Sequence, residues 1–156
     1  MDVMFEIARE ADADALLAMA RAFHSEDGHP LDPMGEAAVV RIATGEPLAR
    51  AWIVRNRRTA LGYVVITLGY SIEYGGPDGF IDDLYVIPEA RGRGLGKKLL
   101  EFALIEAAGL GITTLHLEVG TENEHACRLY RSAGFTSTGR RLMRLRLRPS
   151  SEHSIA

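Results

Sequence analysis

The stretch Val86-Ile87-Pro88-Glu89-Ala90-Arg91-Gly92-Arg93-Gly94-Leu95-Gly96-Lys97-Lys98-Leu99-Leu100 runs from an apolar strand, through a loop with glycine at three alternate positions, into an amphipathic helix. Glycine lets the backbone approach a ligand closely, and the first N–H groups of a helix have no partner within it. Together with the helix dipole they make an anion site suited to a pyrophosphate. Spacing separates the patterns that compete for this loop. A dinucleotide fingerprint requires G-x-G-x-x-G, whereas Gly92, Gly94 and Gly96 read G-x-G-x-G. A P-loop requires Gly five residues before its Gly-Lys pair and Ser or Thr after it. Here Arg91 stands five before Gly96, and Lys98 follows Lys97. What remains is Arg-x-x-Gly-x-Gly after a strand ending Val-x-Pro.

A second motif lies further along the chain. Asn123-Glu124-His125-Ala126-Cys127-Arg128-Leu129-Tyr130-Arg131-Ser132-Ala133-Gly134-Phe135 follows an apolar strand and reads Asn-x-x-Ala-x-x-Leu-Tyr-x-x-x-Gly-Phe. The two motifs, in this order, resemble the coenzyme A loop and the later conserved helix of the GNAT superfamily of N-acetyltransferases. The resemblance covers roughly residues 3 to 148, with specific motifs only from Phe80 to Phe135.

A chain of 156 residues is most simply one domain with a substantial core. Residues 1–149 are read as that domain and residues 150–156 as a polar tail with nothing to bury. Hydrophobic content of 47% and charged content of 25% are ordinary for a soluble globular protein. A formal charge of −3 argues against nucleic acid as the main partner. One cysteine excludes an internal disulfide and a Cys-cluster metal site, and it suits a reducing compartment. The first residues lack the basic start and apolar run of a signal peptide, and no run reaches membrane-spanning length. The expectation is a cytoplasmic protein with no membrane partner and no metal.

Periodicity predicts a strand at Val3–Ile7 and a helix from Asp12 or Asp14 to about Phe23. A loop over residues 24–35 leads to a short helix from about Gly35 to Thr44. Strands at Leu48–Val54 and Ala60–Gly69 form a hairpin through Asn56-Arg57-Arg58. After a loop over residues 70–79, a strand at Phe80–Ile87 precedes the glycine loop and a helix at Leu95–Ala108. A strand at Ile112–Val119, a helix at Asn123–Ser132 and closing strands at Phe135–Gly139 and Leu142–Leu147 complete the reading. Hairpins mixed with strand–helix alternation predict an α/β (α+β) domain, with a mixed sheet and helices on both faces. The resemblance implies the GNAT fold, a mostly antiparallel sheet whose middle strands splay apart to admit the cofactor.

The resemblance also implies acetyl-CoA as acyl donor and direct attack by an amine in a ternary complex. The main chain of Leu84, Tyr85 and Val86 would meet the pantetheine arm and the thioester carbonyl. The loop from Gly92 through Arg93, Gly94, Leu95 and Gly96 to Lys97 would hold the pyrophosphate. Arg91 and Arg93 are candidates for charge-assisted phosphate contacts, and Asn123 for the cofactor side as well as for capping its helix. Tyr130 matches the family tyrosine that protonates the leaving thiolate, and a phenol is protonated at neutral pH.

Asp82 and Asp83 stand in an otherwise apolar strand, where adjacent residues face opposite sides unless a bulge intervenes. The strand resembles the Glu-Asp-Phe-Phe-Val segment of spermidine/spermine acetyltransferases. Asp82 then replaces the glutamate that activates the amine, and Asp83 helps to hold a cationic substrate. Glu118, in the Leu-Glu-Val that ribosomal-type N-terminal acetyltransferases also carry, is the rival base; alternation sets it on one face with His116. Glu26 and Asp27, near His24 and His29, are candidates for acceptor contacts, and Glu73 and Asp78 add to the acidic loops. Cys127 invites an acetyl-enzyme idea that no Cys-His-Asp pattern supports. Arg144, Arg146 and Arg148 form one basic face of the last strand, a solvated face or a homodimer seam.

These residues favour an N-acetyltransferase acting on a primary amine of a small cationic acceptor. The alternatives are a protein N-terminal or lysine acetyltransferase, and a non-catalytic acyl-CoA-binding sensor.

Overall fold

The structure, a computed structural model, describes residues 2–147. The polar tail read at 150–156, and Arg148 on the basic face, lie outside the described residues. The elements in chain order are β1 (Met4–Ile7), α1 (Ala13–Glu26), α2 (Pro33–Thr44), β2 (Ala49–Asn56), β3 (Thr59–Ser71), β4 (Gly76–Val86), α3 (Leu95–Gly109), β5 (Thr114–Leu117) and α4 (Glu124–Ser132). They form one five-stranded sheet in the order β1-β2-β3-β4-β5, antiparallel except for the parallel pair β4–β5. This is the mixed, mostly antiparallel sheet expected.

Alternation along the strands sends side chains to both faces, and each face carries its own core. On one face Trp52, Val54, Val64, Ile66 and Ile81 pack beneath α3, which presents Leu95, Leu99, Leu100, Ala103 and Ala107. Phe5 of β1 stacks on Phe102 of α3 at 4.5 Å. On the other face Ala51, Ile53, Tyr63, Val65 and Tyr85 pack beneath α1 and α2, with Leu16, Met19 and Ala20 at i, i+3 and i+4 of α1. The helices thus lie on both faces of the sheet.

Local chemistry accounts for most boundaries. The helix α2 begins at Pro33 rather than Gly35 because Asp32 caps it, accepting the Gly35 N–H at 2.7 Å, with proline at the first helical position. It ends at Gly45, whose φ of +115° suits glycine. Close packing decides Gly62, since a Cβ there would run into the carbonyl oxygen of Tyr85 on the neighbouring strand. The polar loop expected at 70–79 is shorter than read, because β3 continues to Ser71 and β4 starts at Gly76.

The two closing strands are corrected. Residues 135–147 form no strand, and Leu142, Met143, Leu145 and Leu147 are 63–87% exposed. Their alternation is real, but a strand needs a paired neighbour, and this segment lies on none. Among the described residues the outer edge of β5 is correspondingly without a partner strand. Also among the described residues, no helix is long and apolar enough to cross a membrane.

Candidate active site

The strand β4 determines the geometry of the site. Its pairing with β3 shifts register between Val65↔Asp83 and Ile66↔Ile81, so Asp82 is an extra, bulged residue. The bulge reverses the phase of the strand. Ile81 faces the α3 core, whereas Asp83 and Tyr85 face the α1 side. Both carboxylates therefore reach one cavity, a result that regular alternation forbids. The same bulge marks the end of sheet continuity. Parallel pairing with β5 stops at Ile81↔Leu117, which leaves the β5-facing edge of Asp82 to Val86 open. Leu84, Tyr85 and Val86 thus line a splayed cleft along an edge that β5 does not pair among the described residues, where Val86 already has its carbonyl engaged by Arg91.

The glycine loop closes one end of this cleft. Arg91 N–H is bonded to the Pro88 carbonyl, and the first helical bond of α3 is Lys98 N–H to Gly94 O at 3.2 Å. Between them the N–H groups of Gly92, Arg93, Gly94, Leu95, Gly96 and Lys97 have no hydrogen-bond partner among the described residues. Gly92 and Gly94 hold φ of +74° and +75°, which folds the loop into a concave run of donors at the N-terminus of a 15-residue helix. A group with several anionic oxygens fits such a nest. Gly96 lies beside Leu129 of α4, so the nest adjoins the helix that carries Tyr130.

At the other end is a cavity of about 1120 Å³ lined by His24, Asp82, Asp83, Glu118, Asn123 and Tyr130, among others. Tyr130 is half-buried, packs edge-on against Phe135 at 5.9 Å, and borders a second cavity beyond β5 as well. Burial pushes its phenol pKa up, so the proton stays in place. Asp82 keeps an open surface at the mouth of the cavity. Loss of water around it, and then the charge of Asp83, still raise its carboxyl pKa. Asp83 is the buried member at 6% exposure. Its Oδ2 accepts the Tyr63 phenol at 2.7 Å and the Nε2 of His24 at 3.1 Å.

Not every candidate reaches the cavity. Asp27 lines it, but Glu26 turns toward the glycine loop and accepts from Arg91 at 2.8 Å and from the Tyr85 hydroxyl at 3.3 Å. Arg91 also donates to the Val86 carbonyl at 2.8 Å and sits over the Tyr85 ring, bracing the loop against α1. Glu73 is paired with Arg140, and Asp78 with His116. Asn123 accepts the Ala126 N–H at 3.1 Å and caps α4. Glu118 lies just past β5 and borders the cavity. Cys127 is a half-buried thiol that donates to the Gly120 carbonyl at 3.7 Å. No group of three or more His, Cys, Asp and Glu side chains among the described residues is arranged to hold a metal ion. Sequence reasoning missed Tyr63, an aromatic in an apolar strand that carries no signal of its buried bond.

Comparison with known proteins follows the same outline. The model of the Acetyltransferase (GNAT) family matches residues 10–135. The Thialysine N-epsilon-acetyltransferase of Bos taurus is 28% identical over 150 residues, which cover 85% of this chain and 83% of that protein. An uncharacterized protein of Mycobacterium leprae is 42% identical over 90 residues, 56% of this chain; the chain spans only 23% of that relative's length. The crystal structure of an integron cassette protein from the mobile metagenome of Cole Harbour Salt Marsh is similar over 94% of this chain and 91% of its own, with a TM-score of 0.77 and 34% identity.

Proposed function

The chain belongs to the Acetyltransferase (GNAT) family, and on that footing we propose that residues 1–149 form one domain that transfers an acetyl group from acetyl-CoA to the primary amine of a small cationic acceptor. The observation that carries the reading is one of placement. Six consecutive N–H groups without a partner among the described residues adjoin, at Gly96, the helix that carries Tyr130, and this half-buried tyrosine borders an acidic cavity. Bound acetyl-CoA supplies the thioester carbonyl that the amine attacks in a ternary complex.

The nest from Gly92 to Lys97 holds the pyrophosphate, and Arg93 adds a charge-assisted contact. Main-chain groups of Leu84 to Val86 hold the pantetheine arm and stabilise the carbonyl oxygen as charge builds on it. Asp82 meets the acceptor's ammonium and draws off its proton, directly or through a water. Asp27 and Glu118 extend the negative wall. Tyr130 gives its proton to the sulfur as the C–S bond breaks. The bovine relative named for thialysine acetylation covers most of this chain and favours an amino-acid-like amine within this class.

The test is thiol release from acetyl-CoA with a panel of polyamines, aminoglycosides, amino acids and N-terminal peptides. Turnover with a small amine is the expected result. Turnover with peptides alone moves the acceptor to protein. Tight coenzyme A binding without turnover on any acceptor replaces the enzyme by a sensor.

The same reading takes the protein as a cytoplasmic homodimer; the free Cys127 fits the reducing compartment. Among the described residues there is a sheet edge without a strand at β5, and a strand-patterned segment without a sheet at 142–147. A second copy's segment satisfies both, with Leu145 and Leu147 covered. Light scattering is expected to give twice the 17.1 kDa of one chain, and Leu145→Asp to give one. A monomeric wild type excludes the exchange.

A further inference from the structure

His24 stands on the last turn of α1, beside the bulge in β4, and it joins the acidic pair to solvent. Its Nε2 lies 3.1 Å from Oδ2 of Asp83, and that same oxygen accepts the Tyr63 phenol at 2.7 Å. Tyr63 is fully buried and its phenol is driven far upward by loss of water, so it is a permanent donor. A carboxylate fixed in this way accepts from Nε2–H. The tautomer is thereby set, and Nδ1 keeps its lone pair. Nδ1 has no hydrogen-bond partner among the described residues, and the ring, 26% exposed, borders the cavity that holds Asp82. A carboxylate orienting an imidazole that borders a reaction cavity, with its second nitrogen unbonded, is an arrangement built to receive a proton.

Resting on the acceptor-site reading of this cavity, we propose that His24, oriented by Asp83, is the final acceptor of the proton that Asp82 draws from the acceptor amine. The step balances. The ammonium N–H bond breaks with its electron pair left on nitrogen, and that pair forms the new C–N bond. The proton passes from Asp82 to Nδ1, directly or through one water, and makes an imidazolium. The C–S bond breaks with its pair on sulfur, which takes the Tyr130 proton, and the second proton that the acylated nitrogen loses goes back to the Tyr130 phenolate. The imidazolium then returns its proton to solvent through its exposed edge, and Asp82 is left ionised for the next amine.

The direction of the His24 pKa supports this role. The hydrogen bond to Asp83 raises it, burial opposes, and the charges of Asp83, Asp82 and Asp27 raise it further. The working form is the neutral ring, so kcat/KM rises as pH climbs through a value above the usual ~6.5 of histidine. The stability contributed by the charged pair runs the other way. It is complete below the unfolded pKa and is lost as pH climbs through the folded one. The other groups facing the ring are Asp82 and Asp83 from β4 and Tyr63 from β3. The cavity that the ring borders is also lined by Asp27 and His29 from the loop after α1, Glu118 and Glu122 from beyond β5, and Arg144 and Arg146 from the C-terminal segment. Only histidine among these types ordinarily titrates near neutrality, which makes His29→Gln the control for assigning the limb.

The experiment uses the full chain with acetyl-CoA and the best amine from the panel. His24→Gln is expected to lower kcat/KM about 10²-fold at neutral pH and to remove the acid limb, whereas His29→Gln keeps the limb. Added imidazole is expected to restore at least about tenfold of the activity lost in His24→Ala, a response that a structural role would not give. An unchanged limb in His24→Gln, or a His24→Ala enzyme indifferent to imidazole, overturns the proton route while the acceptor reading stands. A wild type that acetylates no amine overturns both.

Discussion

Tyr130→Phe is expected to lower kcat by about 10²- to 10⁴-fold, the range for loss of a positioned acid, while coenzyme A affinity stays within about twofold. The ring itself remains, so its edge-on packing against Phe135 survives and the fold is kept. Only the hydroxyl is lost, and it contributes nothing until negative charge gathers on sulfur. Burial raises the phenol pKa, which alone would weaken it as an acid. Steady-state thiol release paired with calorimetric titration of coenzyme A checks both halves. Full turnover in the variant would remove Tyr130 from the mechanism; a loss of cofactor affinity equal to the loss of kcat/KM would make it a binding group.

The second large effect belongs to Asp82. Asp82→Asn keeps the shape of the bulge and removes the charge, and kcat/KM is expected to fall about 10²-fold. Stability is expected to move the opposite way. The folded protein holds the Asp82 carboxyl above its usual value, through loss of water and the nearby charge of Asp83, so its ionised form is penalised. That penalty is present at neutral pH and vanishes as pH falls below the unfolded value of ~3.9. The variant should therefore melt higher than wild type at pH 7 and at the same temperature near pH 3. An inactive variant with a lower Tm at pH 7 would make Asp82 a structural residue. Such opposition between activity and stability is expected where a site gathers like charges for chemistry.

The motifs and the local elements were readable because their signals act over a few residues. A glycine at positive φ, as at Gly92 and Gly94, or a cap such as Asn123 on α4, is dictated by backbone sterics within one turn. The glycine loop, the helix after it and the placement of Tyr130 on a second helix all follow from such rules. The helices on both faces were readable too, since alternation and helical periodicity together require them. The closing strands were misread for the converse reason. Alternation at 142–147 states what a strand would look like, but only a neighbouring edge makes one.

The chemistry of the acidic pair could not be read along the chain. His24 and Asp83 are 59 residues apart, and Tyr63 and Asp83 are 20 apart, yet the three share one oxygen. The salt bridge that turns Glu26 away from the cavity spans 65 residues to Arg91. No local rule links such positions; the order in which strands pair and the face on which α1 packs bring them together. By itself the sequence determined the anion nest, the tyrosine helix and the mixed sheet, each set by sterics and periodicity of short range. Tertiary structure alone decided that the bulge at Asp82 turns two carboxylates to one face, and that the last turn of α1 brings a histidine to meet them, because register and packing are properties of distant segments in contact.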